Sequence, residues 1–368
     1  MRLRVLIIVW LLVGGIGLIL IMVPKSPQTD ALASNSSNKG LASSATKSTF
    51  KKTANASSFP PNAGDVPEPS SINTSNWFQR MAAGELEIDL TPEQWAEYFR
   101  QNGTNVETLL ASQKRDNLKL AAELFPHDPR VQYAVLTRDL FPEQRREWLD
   151  RFKAAAPDNA LANYLSAREY LKGGDREQGL KELTEATRKP HYNDYSLDHL
   201  QSREEAQMAA GRSAAEAKAA AASSTLLPQL AMLKGLSQEV QTMQKEYIAA
   251  GDAASAQELA QMGRSLAAQL STGDGSRFLI NQLVGAAIER IVLSPLPPDS
   301  QPEFLDGTVQ QRLDEMTAFR QSVRTLTPQA DEMMARGDER EIINYFDRLK
   351  LQGEYKALLW LQSRRSPR

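Results

Sequence analysis

The residues best able to do chemistry sit in one stretch, His191-Tyr192-Asn193-Asp194-Tyr195-Ser196-Leu197-Asp198-His199. Two imidazoles and two carboxylates are ligand types that zinc or manganese accepts. Their order argues against a joint site. His191 and His199 are eight positions apart, more than two turns on a common helix and beyond shared coordination. Asp194 and Asp198, at i and i+4, could share a face with His191. The stretch reads better as a turn over Pro190 to Asp194, followed by a helix that Ser196 or Asp198 caps. The third histidine lies in His127-Asp128-Pro129, which is ordinary turn chemistry. The sequence holds no Gly-x-Ser-x-Gly elbow, no Walker loop and no Gly-x-Gly-x-x-Gly fingerprint. The carboxylate pairs Glu204-Glu205 and Asp331-Glu332 read as solvated helix faces. No catalytic residue, metal ligand or cofactor is expected, and the chain reads as non-enzymatic.

Composition narrows the classes further. The 368 residues contain no cysteine, which excludes disulfides, thiolate metal sites, a thiol nucleophile and an acylated lipoprotein cysteine. The formal charge of -2 gives no basic surface for nucleic acid.

The elements that must position these residues are helical. From Trp77 onward apolar residues recur at helical spacing, and runs of alternating β-branched residues are missing. Thr91-Pro92-Glu93-Gln94 has the cap, first-position proline and reciprocal acceptor of a helix start, with Trp95, Tyr98 and Phe99 on the buried face. Asn102-Gly103 ends that helix, and Asn105 to Ser112 begins its partner. Leu200 to Ser223 is expected as one alanine-rich helix, with Glu204 near its start where the helix dipole favours an acid. A leucine-rich helix follows from Leu226 to about Ala250, then a deeply buried one over Phe278 to Leu293. Helices over Thr308 to Leu326 and Gln329 to Leu361 complete an all-α chain.

Pro126, Pro157 and Pro190 fall between helices, 31 and 33 residues apart, a period typical of helical-pair repeats. The unit from Pro157 to Pro190 resembles a tetratricopeptide repeat. Ala167 and Tyr170 fall on the first helix, Gly174-Asp175 at the turn, and Gly179, Leu183 and Ala186 on the second helix. Asn163 and Ser166 depart from the family's large apolar positions. The preceding unit keeps Tyr133, Leu136, Trp148, Leu149 and Phe152 but has Phe141-Pro142 at the turn. Residues 246–270 repeat the pattern with Tyr247, Gly251-Asp252 and Ala256. The resemblance implies a degenerate α-solenoid that binds a protein or peptide in a groove lined by first helices. It places Tyr133, Asn163, Arg168 and Tyr170 on or beside that groove.

The N-terminus sets the location. Arg2 and Arg4 precede Val5–Val23, which holds no charged residue. At about 1.5 Å per residue this run spans about 28 Å, close to the hydrocarbon thickness of a bilayer. The flanking arginines favour an N-terminus in the cytoplasm. Ala31-Leu32-Ala33 offers an alternative, cleavage as a signal peptide, although it lies well beyond the end of a long apolar run. The expected order is therefore a cytoplasmic stub and single-pass plasma-membrane anchor over 1–23 and a disordered tether over 24–75. A tetratricopeptide-like domain over 76–225 and a helical domain over 226–368 follow, both extracytoplasmic. Arg2, Arg4 and five lysines outnumber Asp30, Asp65 and Glu68 before Trp77, so the exported part is acidic and suits neutral or basic partners. The layout resembles that of exported helical proteins of bacteria. It also resembles that of the lipase-specific foldases, in which case the chain would be a membrane-tethered folding factor for an exported client. Tyr345-Phe346-Asp347 is only a partial echo of that family's motif.

Overall fold

The computed structural model describes residues 74–365 apart from Ala83. The anchor expected over 1–23, and the tether expected over 24–75 up to its last two residues, lie outside them. No helix among the described residues is long and apolar enough to cross a membrane.

The described chain is all-α, with seventeen α-helices. Helix α1 (Thr74–Ala82) leads to α2 (Pro92–Asn102), which starts on the expected capping box: Thr91 accepts from Gln94 N, and the Gln94 side chain accepts from Thr91 N. A second box at Asn105 opens α3 (Val106–Ala111). Then follow α4 (Arg115–Leu124), α5 (Pro129–Arg138), α6 (Arg145–Ala155), α7 (Ala160–Lys172) and α8 (Arg176–Arg188). Asp128 caps α5 and Pro129 opens it. Next come α9 (Ser196–Ala209), α10 (Ala214–Ser224), α11 (Gln229–Ala249), α12 (Ala253–Thr272) and α13 (Leu279–Leu293). The last four are α14 (Val309–Leu326), α15 (Pro328–Arg336), α16 (Glu339–Gln352) and α17 (Glu354–Arg365).

Hairpins α7–α8 and α11–α12 share one turn. Gly174 and Gly251 take φ of 84° and 78°, a left-handed conformation that costs glycine nothing. Asp175 N donates to Tyr170 O and Asp252 N to Tyr247 O, each at 2.9 Å. Each aspartate then caps the next helix. Close packing follows from small residues. A Cβ on Gly179 would lie 2.5 Å from Leu171 Cδ2, and one on Gly263 would lie 2.5 Å from Val292 Cγ1.

The hairpins stack out of chain order. Helix α7 packs against α11 and α8 against α12, so α11–α12 covers the hairpin of residues 160–188. The intervening pair takes other neighbours: α9 packs against α3 and α2, and α10 against α16. The expected alanine-rich helix over Leu200 to Ser223 is in fact two helices. Gly211, at φ 88°, ends α9, and a Ser213/Glu216 capping box starts α10. The stretch from Gln329 to Leu361, expected to supply the last helices, holds three of them, separated at Gly337 and Gly353, both at positive φ.

The described residues belong to one compact unit. The sequence boundary at 225/226 runs through its cores. One apolar cluster joins Leu109, Val135 and Leu165 to Leu233, Leu266 and Ile288. A second joins Phe78, Leu200 and Ala219 to Val323, Tyr345 and Leu358.

Candidate functional site

The chemistry-bearing stretch is split by the fold. Asn159, the N-cap of α7, binds the crossover from α8 to α9 through Asn193 O (2.7 Å) and Asn193 N (3.0 Å). His191 O accepts from Ala160 N at 2.8 Å. His191 is thereby an exposed member of the turn. His199 lies on α9 and lines a different cleft. The α9 start is capped by neither Ser196 nor Asp198: Asp194 Oδ1 accepts from Ser196 N at 3.1 Å. No cluster of three or more potential metal-binding side chains occurs among the described residues.

His199 opens onto a cavity of about 60 Å³ between α3, α5, α9 and the loop before α11. Gln113, Tyr133, Arg138, Tyr195 and Leu226 form much of its wall. Among the described residues, the non-glycine positions at positive φ are Gln113 (54°), Asp139 (49°) and Tyr195 (55°). Two of them line this cavity and the third follows Arg138. Such conformations cost on the order of 1 kcal/mol each and cluster where a site needs a side chain held in place.

The polar contacts fix the state of each group. Arg138 donates to Gln113 Oε1 at 2.8 Å. Guanidinium is a donor only, so the Gln113 amide nitrogen must face away from it, toward His199 Nε2. His199 Nε2 therefore accepts, and the ring proton sits on Nδ1. Burial pulls the imidazole pKa down to about 3, and the charges of Arg203 and Arg138 act in the same sense. Arg203, 3 % exposed, lies beneath and donates to Ala111 O (2.7 Å), Ser224 Oγ (2.8 Å) and Asp89 Oδ1 (3.2 Å). Ser202 Oγ bonds to Asp198 O at 3.0 Å, in the pattern of a helical serine rather than a nucleophile held by a base.

At the inner end of the cavity a buried network joins four segments. Tyr133 Oη donates to Gln229 Oε1 at 2.7 Å, and Gln229 Nε2 to Asp194 Oδ2 at 2.7 Å. Asn281 Nδ2 reaches the same oxygen at 3.2 Å. Burial raises the Asp194 carboxyl above its ordinary range despite the hydrogen bonds from Ser196, Gln229 and Asn281.

The four residues that the resemblance puts at a partner groove are dispersed. Tyr133 borders the cavity, and its ring meets Tyr195 at 5.9 Å. Asn163, 8 % exposed, donates to Glu182 Oε2 at 2.7 Å inside the α7–α8 hairpin. Arg168 pairs with Glu169 at 3.1 Å. Tyr170 lies under the Arg146 guanidinium, 3.9 Å from its ring centre.

Glu204 escaped the sequence reading. It is 4 % exposed, not a solvated residue of a first turn, and its oxygens each take a lysine at 2.7 Å, Lys218 and Lys350. Lys218 also reaches Asp347 at 2.6 Å. The Tyr345-Phe346-Asp347 segment is thus packed and paired within the fold. Nothing in the local sequence marks Glu204 as buried, because Lys350 arrives from 146 residues away.

No family model, curated protein or solved structure matches this chain.

Proposed function

We propose that the chain is a membrane-anchored, extracytoplasmic protein–protein interaction scaffold built on tetratricopeptide-like hairpins. The observation that carries this reading is the shared architecture of α7–α8 and α11–α12. They have the same Gly-Asp turn, the same aspartate cap on the second helix, and first helix stacked on first helix. Stacked helical pairs present an extended surface to a partner. The apolar run Val5–Val23 supplies the attachment, and the acidic exported part favours a neutral or basic partner.

The test is crosslinking of the full-length chain in its native membrane, followed by identification of what is captured. Arg168→Ala and Tyr170→Ala are the informative variants. Glu169 keeps Arg145 at 3.2 Å when Arg168 is lost, and Tyr170 makes no buried hydrogen bond that its loss would orphan. A stoichiometric partner lost in both variants at unchanged helicity supports the scaffold. Capture that is unaffected by either variant removes this groove from the reading, and a clean preparation removes the scaffold itself.

A further inference from the structure

Helices α16 and α17 pack together as a hairpin whose charges are sorted by side. Its carboxylates are committed elsewhere. Asp347 pairs with Lys218 of α10 at 2.6 Å, Glu354 accepts from Leu279 N at 2.8 Å, and Glu341 is held by Arg336. Glu339 precedes Arg348 by nine positions, half a turn away around α16. The cations stay outside. Arg340, Lys356 and Arg364 are exposed, and Arg364 meets Glu341 only at 3.9 Å. Among the described residues Arg340, Arg348 and Lys356 form no ion pair. The same side is apolar. Leu351 is 73 % exposed and Leu359 40 %, and the partly exposed Trp360 ring has the Arg348 guanidinium at 4.7 Å and that of Arg364 at 5.4 Å. On α16, Arg340, Asn344, Arg348 and Leu351 follow one another at i, i+4, i+8 and i+11. On α17, Lys356, Leu359, Trp360 and Ser363 do so at i, i+3, i+4 and i+7, so each helix carries one stripe. The contact of Arg348 with Trp360 sets the two stripes side by side.

We propose that this face rests on an anionic lipid surface, with Leu351 and Leu359 entering the boundary between headgroups and acyl chains, Trp360 at headgroup level, and Arg340, Arg348, Lys356 and Arg364 against the lipid phosphates. Exposed leucine, tryptophan and basic residues on one face are the composition of an element that lies in a membrane interface. Long cationic side chains keep their heads among the phosphates while their stems cover apolar surface. Each lysine or arginine near such a surface strengthens attachment by about fivefold. On the anchored reading, Val5–Val23 keeps the chain beside a bilayer, and residues 24–73 separate that run from α1, a length that lets any face of the body turn to the lipid. The proposal thus rests on the membrane-anchored part of the proposed function, and it uses no residue of the hairpins assigned to a protein partner.

The full chain contains no cysteine, so Ser363→Cys places a single environment-sensitive fluorophore on this face. The labelled chain is reconstituted into vesicles of phosphatidylcholine alone or mixed with phosphatidylglycerol. Co-flotation with the neutral vesicles reads the anchor and the fluorophore reads the face, so either can fail without the other. With phosphatidylglycerol the emission should move to the blue and be shielded from an aqueous quencher by about twofold or more, and salt at about 0.5 M should reverse both. Arg340→Glu combined with Lys356→Glu should lose most of that response at an unchanged urea midpoint, since both side chains are exposed and unpaired. Leu351→Ser combined with Leu359→Ser keeps every charge and should lose the shielding. An equal response in neutral vesicles, or in the charge-reversed protein, would overturn the inference. So would a chain that floats with both vesicles while its fluorophore responds to neither. The same response to soluble polyglutamate without vesicles would assign the face to an acidic protein and overturn it as well.

Discussion

At the scale of single residues, His199 gives the fold a directional response to pH. Its ordinary value is 6.5 and its folded value about 3. Between these the unfolded chain binds a proton that the folded chain refuses, so stability is full above the upper value and falls as pH drops toward the lower. At about 1.4 kcal/mol per unit the loss amounts to a few kcal/mol. Asp194 and Glu354 act in the opposite sense. Burial raises both carboxyls, so their contribution is largest in acid and is lost as pH rises through the carboxyl range. His199→Gln removes only the first effect. Urea midpoints at about pH 4.5 and about pH 7 should differ clearly for the native chain and much less for the variant. An unchanged difference would mean that other groups carry the acid limb. None of this was legible in the sequence, where His199 looked like one of two distant ligands. Its state is set by burial and by the charges of Arg203, on the same helix, and Arg138, on α5, while Gln113 from the loop between α3 and α4 contacts its Nε2.

At the scale of elements, the local signals read true and the longer inferences did not. The capping box at Thr91, the helix start at Thr308 and the turn at Gly174-Asp175 lie where the sequence puts them, because each is decided within four or five residues. The alanine-rich segment failed for the same reason. Alanine propensity extends a helix through Ala210, while Gly211 with the Ser213-x-x-Glu216 box breaks it, and the box prevails. Packing between elements is also partly visible, since Gly179 stands at the small position of the repeat-like unit. Gly263 has the same role against Val292 on α13, but its neighbour is remote enough in the chain that no pattern shows it. Gly179→Ala and Gly263→Ala should each destabilise by about 1–3 kcal/mol through forced repacking, read as a shift in urea midpoint. Gly263→Ala should cost more, because Val292 presents branched atoms at 2.5, 3.0 and 3.0 Å, whereas the Leu171 contact is with the flexible end of its side chain. Equal, negligible shifts would show that both interfaces relax freely.

At the scale of the molecule, the decisive feature is that distant parts of the chain complete one another. Helix α7 needs α11, α10 needs α16, and both apolar clusters draw on residues before and after position 225. The Glu204 network fastens the same joint, holding α9 to α10 through Lys218 and to α16 through Lys350. A fragment of residues 76–225 would expose the faces of α7 and α10 that α11 and α16 cover, and Glu204 would lose one of its two lysines. That fragment should therefore lack cooperative unfolding, and the chain from residue 74 should unfold in a single transition by circular dichroism and tryptophan fluorescence alike. Glu204→Gln tests the joint without truncation. Removing this buried anion leaves Lys218 with Asp347 and Lys350 with Gln201, so the loss should be about 1–3 kcal/mol, below that of a buried pair broken with no second partner. Lys350→Ala leaves Glu204 with Lys218 and should cost about 1 kcal/mol or less. If the two segments are one folding unit, Glu204→Gln moves the whole transition to lower denaturant and keeps both probes coincident. If they were separate domains, only one part of the signal would move, and the curve would split into two steps.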